Sequence, residues 1–186
     1  PEPSGEIIHL QRWEEVTVGS VHGRPLIRAA PAKLNLGLKI LGPRADGFHN
    51  LVSVFQTVDL YDILTACDAL DLSMTCSDET LPVDKTNLVI TAAQALNLYT
   101  GQCNGAQISL EKRIPSGAGL GGGSSDAAHT IRLLVELWNC KIDDEDAGTI
   151  CTEAGSDVPF FWHGGTAVVT GRGENVRPIS PKGTVT

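Results

Sequence analysis

The segment Pro115-Ser116-Gly117-Ala118-Gly119-Leu120-Gly121-Gly122-Gly123-Ser124-Ser125-Asp126-Ala127-Ala128 holds five of the chain's 20 glycines within seven positions. Glycine lets backbone come close to a ligand and turn its N–H groups inward. The spacing places this loop between a strand and an amphipathic helix, whose N-terminus adds partial positive charge at the same spot. Phosphate binding needs this combination. It is not a Walker A loop, because no Gly-Lys-Ser/Thr closes it, and no second βαβ half follows to make it a dinucleotide fingerprint. Ser124 or Ser125 can offer a hydroxyl to a phosphate or to Mg2+. Asp126 reads either as a cap for first-turn N–H groups or as a residue near a metal. An anion directly facing phosphate would be repelled unless a cation intervened.

Five positions outside the loop carry chemistry that is weaker when read alone. Lys33 sits in an apolar strand, between Ala32 and Leu34, and by itself reads as a lysine reaching solvent. Asp157, in Gly-Ser-Asp-Val-Pro, reads as a turn or helix-cap aspartate. Asn35 lies two residues after Lys33 and so shares its strand face. Phe48-His49 reads as packing plus a surface imidazole.

The elements that must hold these residues follow from periodicity. Leu34, Leu36, Leu38 and Ile40 alternate with polar or small residues, as in a half-buried strand. A turn cluster follows at 42–47. Residues 50–66 read as one long or two short strands, with further strands at 70–76, 105–113 and 166–171. Thr86 or Asn87 caps a helix running to about Tyr99. A second helix spans about 124–138, with Ile131, Leu134, Val135 and Trp138 on one face. Acids at 143–146 suit the start of a third helix. This order predicts an α+β domain over 26–180, a mainly antiparallel sheet packed against helices, after an N-terminal extension at 1–25.

Net charge is −8, against a general nucleic-acid binder. Five cysteines, an odd number with no Cys-x-x-Cys pair, read as reduced thiols in a cytoplasmic protein. No stretch approaches a membrane span, and the first residues do not resemble a secretory signal.

The glycine loop resembles the phosphate-binding motif of the GHMP kinases. Three more segments narrow the resemblance to the 4-diphosphocytidyl-2-C-methyl-D-erythritol kinase family. They are Pro31-Ala32-Lys33-Leu34-Asn35-Leu36, Arg44-Ala45-Asp46-Gly47-Phe48-His49 and Gly155-Ser156-Asp157-Val158-Pro159-Phe160, in the family's order across about 27–175. The resemblance implies the N-terminal domain of that fold, ribosomal protein S5 domain 2-like. It implies ATP and Mg2+, and a cytidine diphosphate-linked methylerythritol as the small-molecule substrate, with no nucleic acid or membrane partner. Lys33 and Asp157 are then the catalytic pair. Asn35 meets the polyol, Phe48 stacks on cytosine and His49 hydrogen-bonds its edge. Asn87, Leu88 and Lys112 lie around adenine. Pro115, Gly117, Ala118, Gly119, Leu120, Gly121, Gly122, Gly123, Ser124 and Ser125 lie along the nucleotide and its phosphates. Ala118, where other members can have glycine, requires a negative φ or strain.

Other GHMP kinases, of the mevalonate or homoserine type, are a second reading, against which the Asp-Gly-Phe-His segment speaks. A non-catalytic nucleotide-binding module is a third. The resemblance also implies a C-terminal domain that this chain lacks, so the 186-residue piece is expected to be a fragment with little activity of its own.

Overall fold

A computed structural model describes residues 22–43 and 49–179. Two long strands set the frame: β1 (His22–Pro43) and β2 (His49–Ala69) pair antiparallel along their length. Residues 50–66 therefore belong to one strand. Its other edge is shared between two neighbours: β5 (Thr166–Gly171) pairs with Leu51–Gln56, and β4 (Gly105–Glu111) pairs with Ile63–Ala69, both antiparallel. The remaining strands are β3 (Leu72–Cys76), parallel to β4, and β6 (Asn175–Pro178), antiparallel to β5. The six-stranded sheet is thus mainly antiparallel.

The register slips between Pro31 and Ala32: Pro31 faces Tyr61, but Ala32 faces Val58. Burial changes phase there. Asp62, Leu64 and Ala66 are buried on one side of the slip, and Ser53 and Phe55 on the other. Such irregularities re-aim side chains, because strict alternation would carry one parity throughout. On β1 the same change buries Lys33 and leaves Leu34, Leu36, Leu38 and Ile40 exposed among the described residues. The alternation correctly indicates a strand there, but Asn35, Gly37 and Lys39 are exposed as well, so beyond Lys33 neither side of β1 is covered.

Four helices complete the domain, α1 (Leu88–Thr100), α2 (Gly122–Leu137), α3 (Asp144–Ala154) and α4 (Val158–His163), with α2 packed on β1 and β2. Asn87 caps α1 by accepting from Val89 N–H at 3.0 Å. Asp143 and Asp146 form a reciprocal capping box on α3, so the acidic run is a solvated helix start. Helix α2 buries Ala127, Ala128, Ile131 and Leu134 against α1, α4 and the sheet, with Val135 and Trp138 half-buried beside them. This central helix starts at the glycine loop, which fixes the loop against the core. The short helix after Asp157 has no periodic signal in sequence; Pro159 in its first turn and the buried Val158, Phe160 and Phe161 make it.

Residues 22–25 form the start of β1 rather than part of an extension. Residues 1–21, the turn residues 44–48 including Phe48, and the tail from 180 lie outside the described residues. All five cysteines are free thiols. Among the described residues no helix is long and apolar enough to cross a membrane.

Candidate active site

The glycine loop encloses a cavity of about 280 Å3 between the end of β4, the start of α2 and the start of α1. Gly117, Gly119 and Gly121 have φ of 73°, 74° and 71°, a region that L side chains rarely adopt. Ala118 between them has no positive φ, so it is unstrained there. Gly121 is required twice over. A Cβ on it would lie 2.7 Å from Phe161 Cζ and 3.1 Å from Lys33 Cγ. The loop is also tied to β1, because the Lys33 backbone N–H donates to Leu120 C=O at 2.9 Å.

Lys33 and Asp157 meet at this junction. Lys33 Nζ stands 3.9 Å from Asp157 Oδ2, donates to Asn35 Oδ1 at 2.6 Å, and lies 4.3 Å over the Phe55 ring. Burial lowers the Lys33 ammonium's pKa, and the opposing pull of Asp157 does not restore it. Burial likewise raises Asp157 above the usual carboxylate range, against the pull of Lys33. The two groups are therefore poised closer to proton exchange than they would be in water. Asp157 occupies the N-cap position of α4 but makes no capping bond. Its Oδ1 lies where a Cβ on Gly173 would come within 2.6 Å, so the β5–β6 turn closes over it as only glycine allows.

A second ionic cluster lies under the loop. Lys112 Nζ donates to Asp62 Oδ2 and, at 2.9 Å, to Asp126 Oδ2. Asp62 is fully buried, and its Oδ1 accepts the backbone N–H groups of Arg113 at 2.5 Å and Ile114 at 2.8 Å. One carboxylate thus holds both the lysine and the chain as it leaves β4. Burial pushes Asp126 up to about 7, opposed by Lys112 and assisted by Asp62. Burial alone would depress the Lys112 ammonium, but Asp126 and Asp62 together hold it above its usual value.

This arrangement revises several sequence-based expectations. Asp126 is not a cap: Gly121 stands at the N-cap of α2 with no side-chain capping bond, and Asp126 pairs with Lys112. Asn87, Leu88, Lys112, Pro115 and Gly117 to Gly123 line the cavity, whereas Ser124 and Ser125 do not. Ser125 is completely buried, with its hydroxyl unpartnered. Asn87 lines the cavity with both amide atoms engaged, by Val89 N–H and by Pro82 C=O. Asn35 joins Lys33 as the shared strand face implies. His49 is exposed and sits eight residues along β2 from Thr57, the partner of Lys33; that is up to about 26 Å of strand. Asp62 escaped sequence reasoning; its one signal was a charge inside an otherwise apolar strand segment, Tyr61-Asp62-Ile63-Leu64. Among the described residues, no cluster of three or more His, Cys, Asp or Glu makes a ready metal cage.

The GHMP kinases N terminal domain family matches residues 87–165. The 4-diphosphocytidyl-2-C-methyl-D-erythritol kinase of Salinibacter ruber is 47% identical over 160 residues, covering 86% of this chain and 56% of that protein. The protein of the same name from Chlorobium phaeobacteroides is 51% identical over 144 residues, covering 77% and 50%. This chain therefore spans about half the length of these curated relatives. A crystal structure of 4-(cytidine 5'-diphospho)-2C-methyl-D-erythritol kinase superposes with a TM-score of 0.71 at 39% identity, over 83% of this chain and 55% of that one. The mevalonate kinase of Methanococcus jannaschii shares the fold at a TM-score of 0.64 and 16% identity, over 86% and 57%. With the domain match, the shared topology and relatives of this similarity, the chain carries a GHMP kinase N-terminal domain.

Proposed function

We propose that the protein transfers the γ-phosphoryl group of ATP to the 2-hydroxyl of 4-diphosphocytidyl-2-C-methyl-D-erythritol, a step in non-mevalonate isoprenoid precursor synthesis. The observation that carries this is the Lys33–Asp157 pair, 3.9 Å apart at the mouth of a glycine loop. The names of the curated relatives supply the substrate. In this reading Asp157, with its raised pKa, accepts the proton of the attacking hydroxyl. Lys33 offsets charge developing on the alkoxide and the transferred group, and Asn35 orients Lys33 while its amide N–H2 remains to meet the polyol. The inward-turned backbone of Gly117–Gly123 holds the phosphates. Phe48 and His49 would hold the cytosine, His49 from the first position of β2.

Mg2+ belongs to the same proposal and would neutralise charge on the phosphate oxygens. It commonly binds through substrate phosphates with one or two carboxylates rather than through a protein cage. Asp126, which lines the cavity with Oδ1 buried and unpartnered, fits as the carboxylate. The net charge of −8 supports a small-molecule rather than a nucleic-acid partner, and five free thiols support a cytoplasmic setting.

The test is a substrate panel for the whole protein, following ADP release with the cytidine-linked alcohol, mevalonate and homoserine. The expected result is turnover of the first alone. Turnover of mevalonate with rejection of the cytidine-linked alcohol would reverse the assignment.

A further inference from the structure

A second cavity, of about 230 Å3, opens where α2 and the end of α4 meet the middle of β1. Its charge runs against that of the chain. Arg28, Arg132, His129 and His163 line it with Thr57 and Trp162, and none of the described residues lining it is acidic. In a protein of net charge −8, four basic side chains around one small hollow need a reason.

The internal partners do not exhaust them. Arg28 pairs through one terminal nitrogen with Glu136 at 2.7 Å, on the half-exposed rim, while its Nε is buried with no partner. Arg132 caps the end of α4 by donating to Trp162 C=O and stacks 4.2 Å over the Trp162 ring, which fixes its guanidinium plane. His129 Nδ1 is engaged with Ser125 C=O at 2.9 Å, so Nε2 is the ring nitrogen left over. The guanidiniums also act on one another. Burial first, and then repulsion from Arg28, lowers the pKa of Arg132, although Asp144 and Cys151 pull the other way. Burial and then both arginines hold His129 below its usual value, against the pull of Ser125 C=O. Like charges are thus held together with less counter-charge than they need. The volume is several times a water's share of liquid, about 30 Å3, but below the roughly 300–1,000 Å3 of sites for larger ligands.

We propose that this cavity is an anion site, separate from the glycine loop, that takes a single phosphate-class oxyanion. The N–H groups of Arg132 not spent on Trp162 C=O are its principal donors, with the Arg28 side chain as the second cation on its lining, and a fixed guanidinium plane suits the forked recognition of phosphate oxygens. The site is not an extension of the proposed phosphoryl-transfer centre. Asp157 is at one end of α4 and His163 at the other, six residues or about 9 Å of helix apart. Phe161 forms a wall between them, lining this cavity and touching the position of a Cβ on Gly121.

The test is a 1H–15N NMR titration of the full chain at constant ionic strength, with ATP saturating the glycine loop. Inorganic phosphate and diphosphate are added in separate arms, with chloride as the reference. The indole N–H of Trp162 reports this cavity, and the amides of 117–123 report the loop. The expected result is a saturable Trp162 shift with phosphate that persists under ATP. Arg28→Gln and Arg132→Lys should each weaken it about tenfold, as for loss of one charge-assisted hydrogen bond. Diphosphate is expected to bind equally or more weakly; tighter binding of diphosphate would overturn the single-phosphate assignment. Shifts confined to 117–123, a Trp162 response that is linear or matched by chloride, or equal affinity in Arg28→Gln would overturn the proposal. Arg28→Gln decides alone if Arg132→Lys does not fold, since its rim ion pair contributes little to stability.

Discussion

Replacing Gly121 by alanine tests the loop's geometry most sharply, because Gly117 supplies a matched control. Both glycines have φ just above 70°, so alanine at either incurs the left-handed penalty, roughly 1–2 kcal/mol. They differ in what the new methyl would meet. At Gly117 nothing lies within 4 Å, whereas at Gly121 Phe161 Cζ is 2.7 Å away, Phe161 Cε2 2.9 Å and Lys33 Cγ 3.1 Å. Phe161 is buried against Phe160, with ring centroids 5.1 Å apart, and cannot yield freely. Overpacking of this kind adds about 1–3 kcal/mol. The expected loss is therefore about 2–5 kcal/mol for Gly121→Ala and about 1–2 kcal/mol for Gly117→Ala. For a domain of this size, that corresponds to falls in Tm of about 4–20 °C and 2–8 °C. Calorimetric melting of the two variants beside the parent measures the difference. ATP titration of each at a temperature where both are folded should show the larger loss of affinity for Gly121→Ala, because moving Phe161 or Lys33 shifts the loop through the Lys33–Leu120 hydrogen bond. Equal melting temperatures in the two variants would refute the close approach and the packing reasoning built on it.

Three further outcomes are expected. In the whole protein, Lys33→Ala and Asp157→Ala should each lower kcat by about 10²–10⁴-fold, as for loss of a general base or of a charge stabilising the transition state, with unchanged circular dichroism; near-normal turnover by Asp157→Ala would remove it as the base. Asp62→Ala should cost about 3–5 kcal/mol in urea unfolding, because it leaves buried Lys112 with Asp126 as its one anionic partner and two backbone N–H groups unpaired, and Asp62→Asn should cost less. Asp126, at about 7 when folded against 3.8 in its ordinary state, binds more protons in the native protein between those values. Its contribution to stability is thus full below about pH 4 and is lost as pH rises towards 7. Urea unfolding of the parent should show this fall between pH 5 and pH 7.5, on the order of 1–4 kcal/mol at most, and Asp126→Asn should flatten it.

The parts of this site that sequence reveals are those whose causes are local. The glycine spacing implies inward-facing backbone because few other residues tolerate φ above 70°. Asn87 and Asp143 mark helix starts because each bonds a backbone N–H two or three residues on. Residues of α2 at helical spacing are buried as their period demands. Lys33 and Asp157 are unremarkable when read singly, and only the resemblance of their flanking segments couples them across the chain. Nothing in the composition separates Asp62 from a solvated aspartate, since its partners lie 50 to 52 residues away.

By itself, then, the sequence determined a glycine-rich loop on a strand-to-helix turn, an α+β order of elements and the kinase family its motifs resemble. Tertiary structure alone decided which way β1 faces. Period-2 alternation says that two sets of side chains lie on opposite faces, and says nothing of which is covered. Packing settles that only as far as Lys33, which is buried over Phe55 just after the register slip at Pro31–Ala32; residues 34–41 beyond it are exposed on both faces. The basic cavity has the same origin. Arg28, His129, Arg132 and His163 come from three separate elements, and only the packing of α2 and α4 on β1 brings these side chains around one cavity.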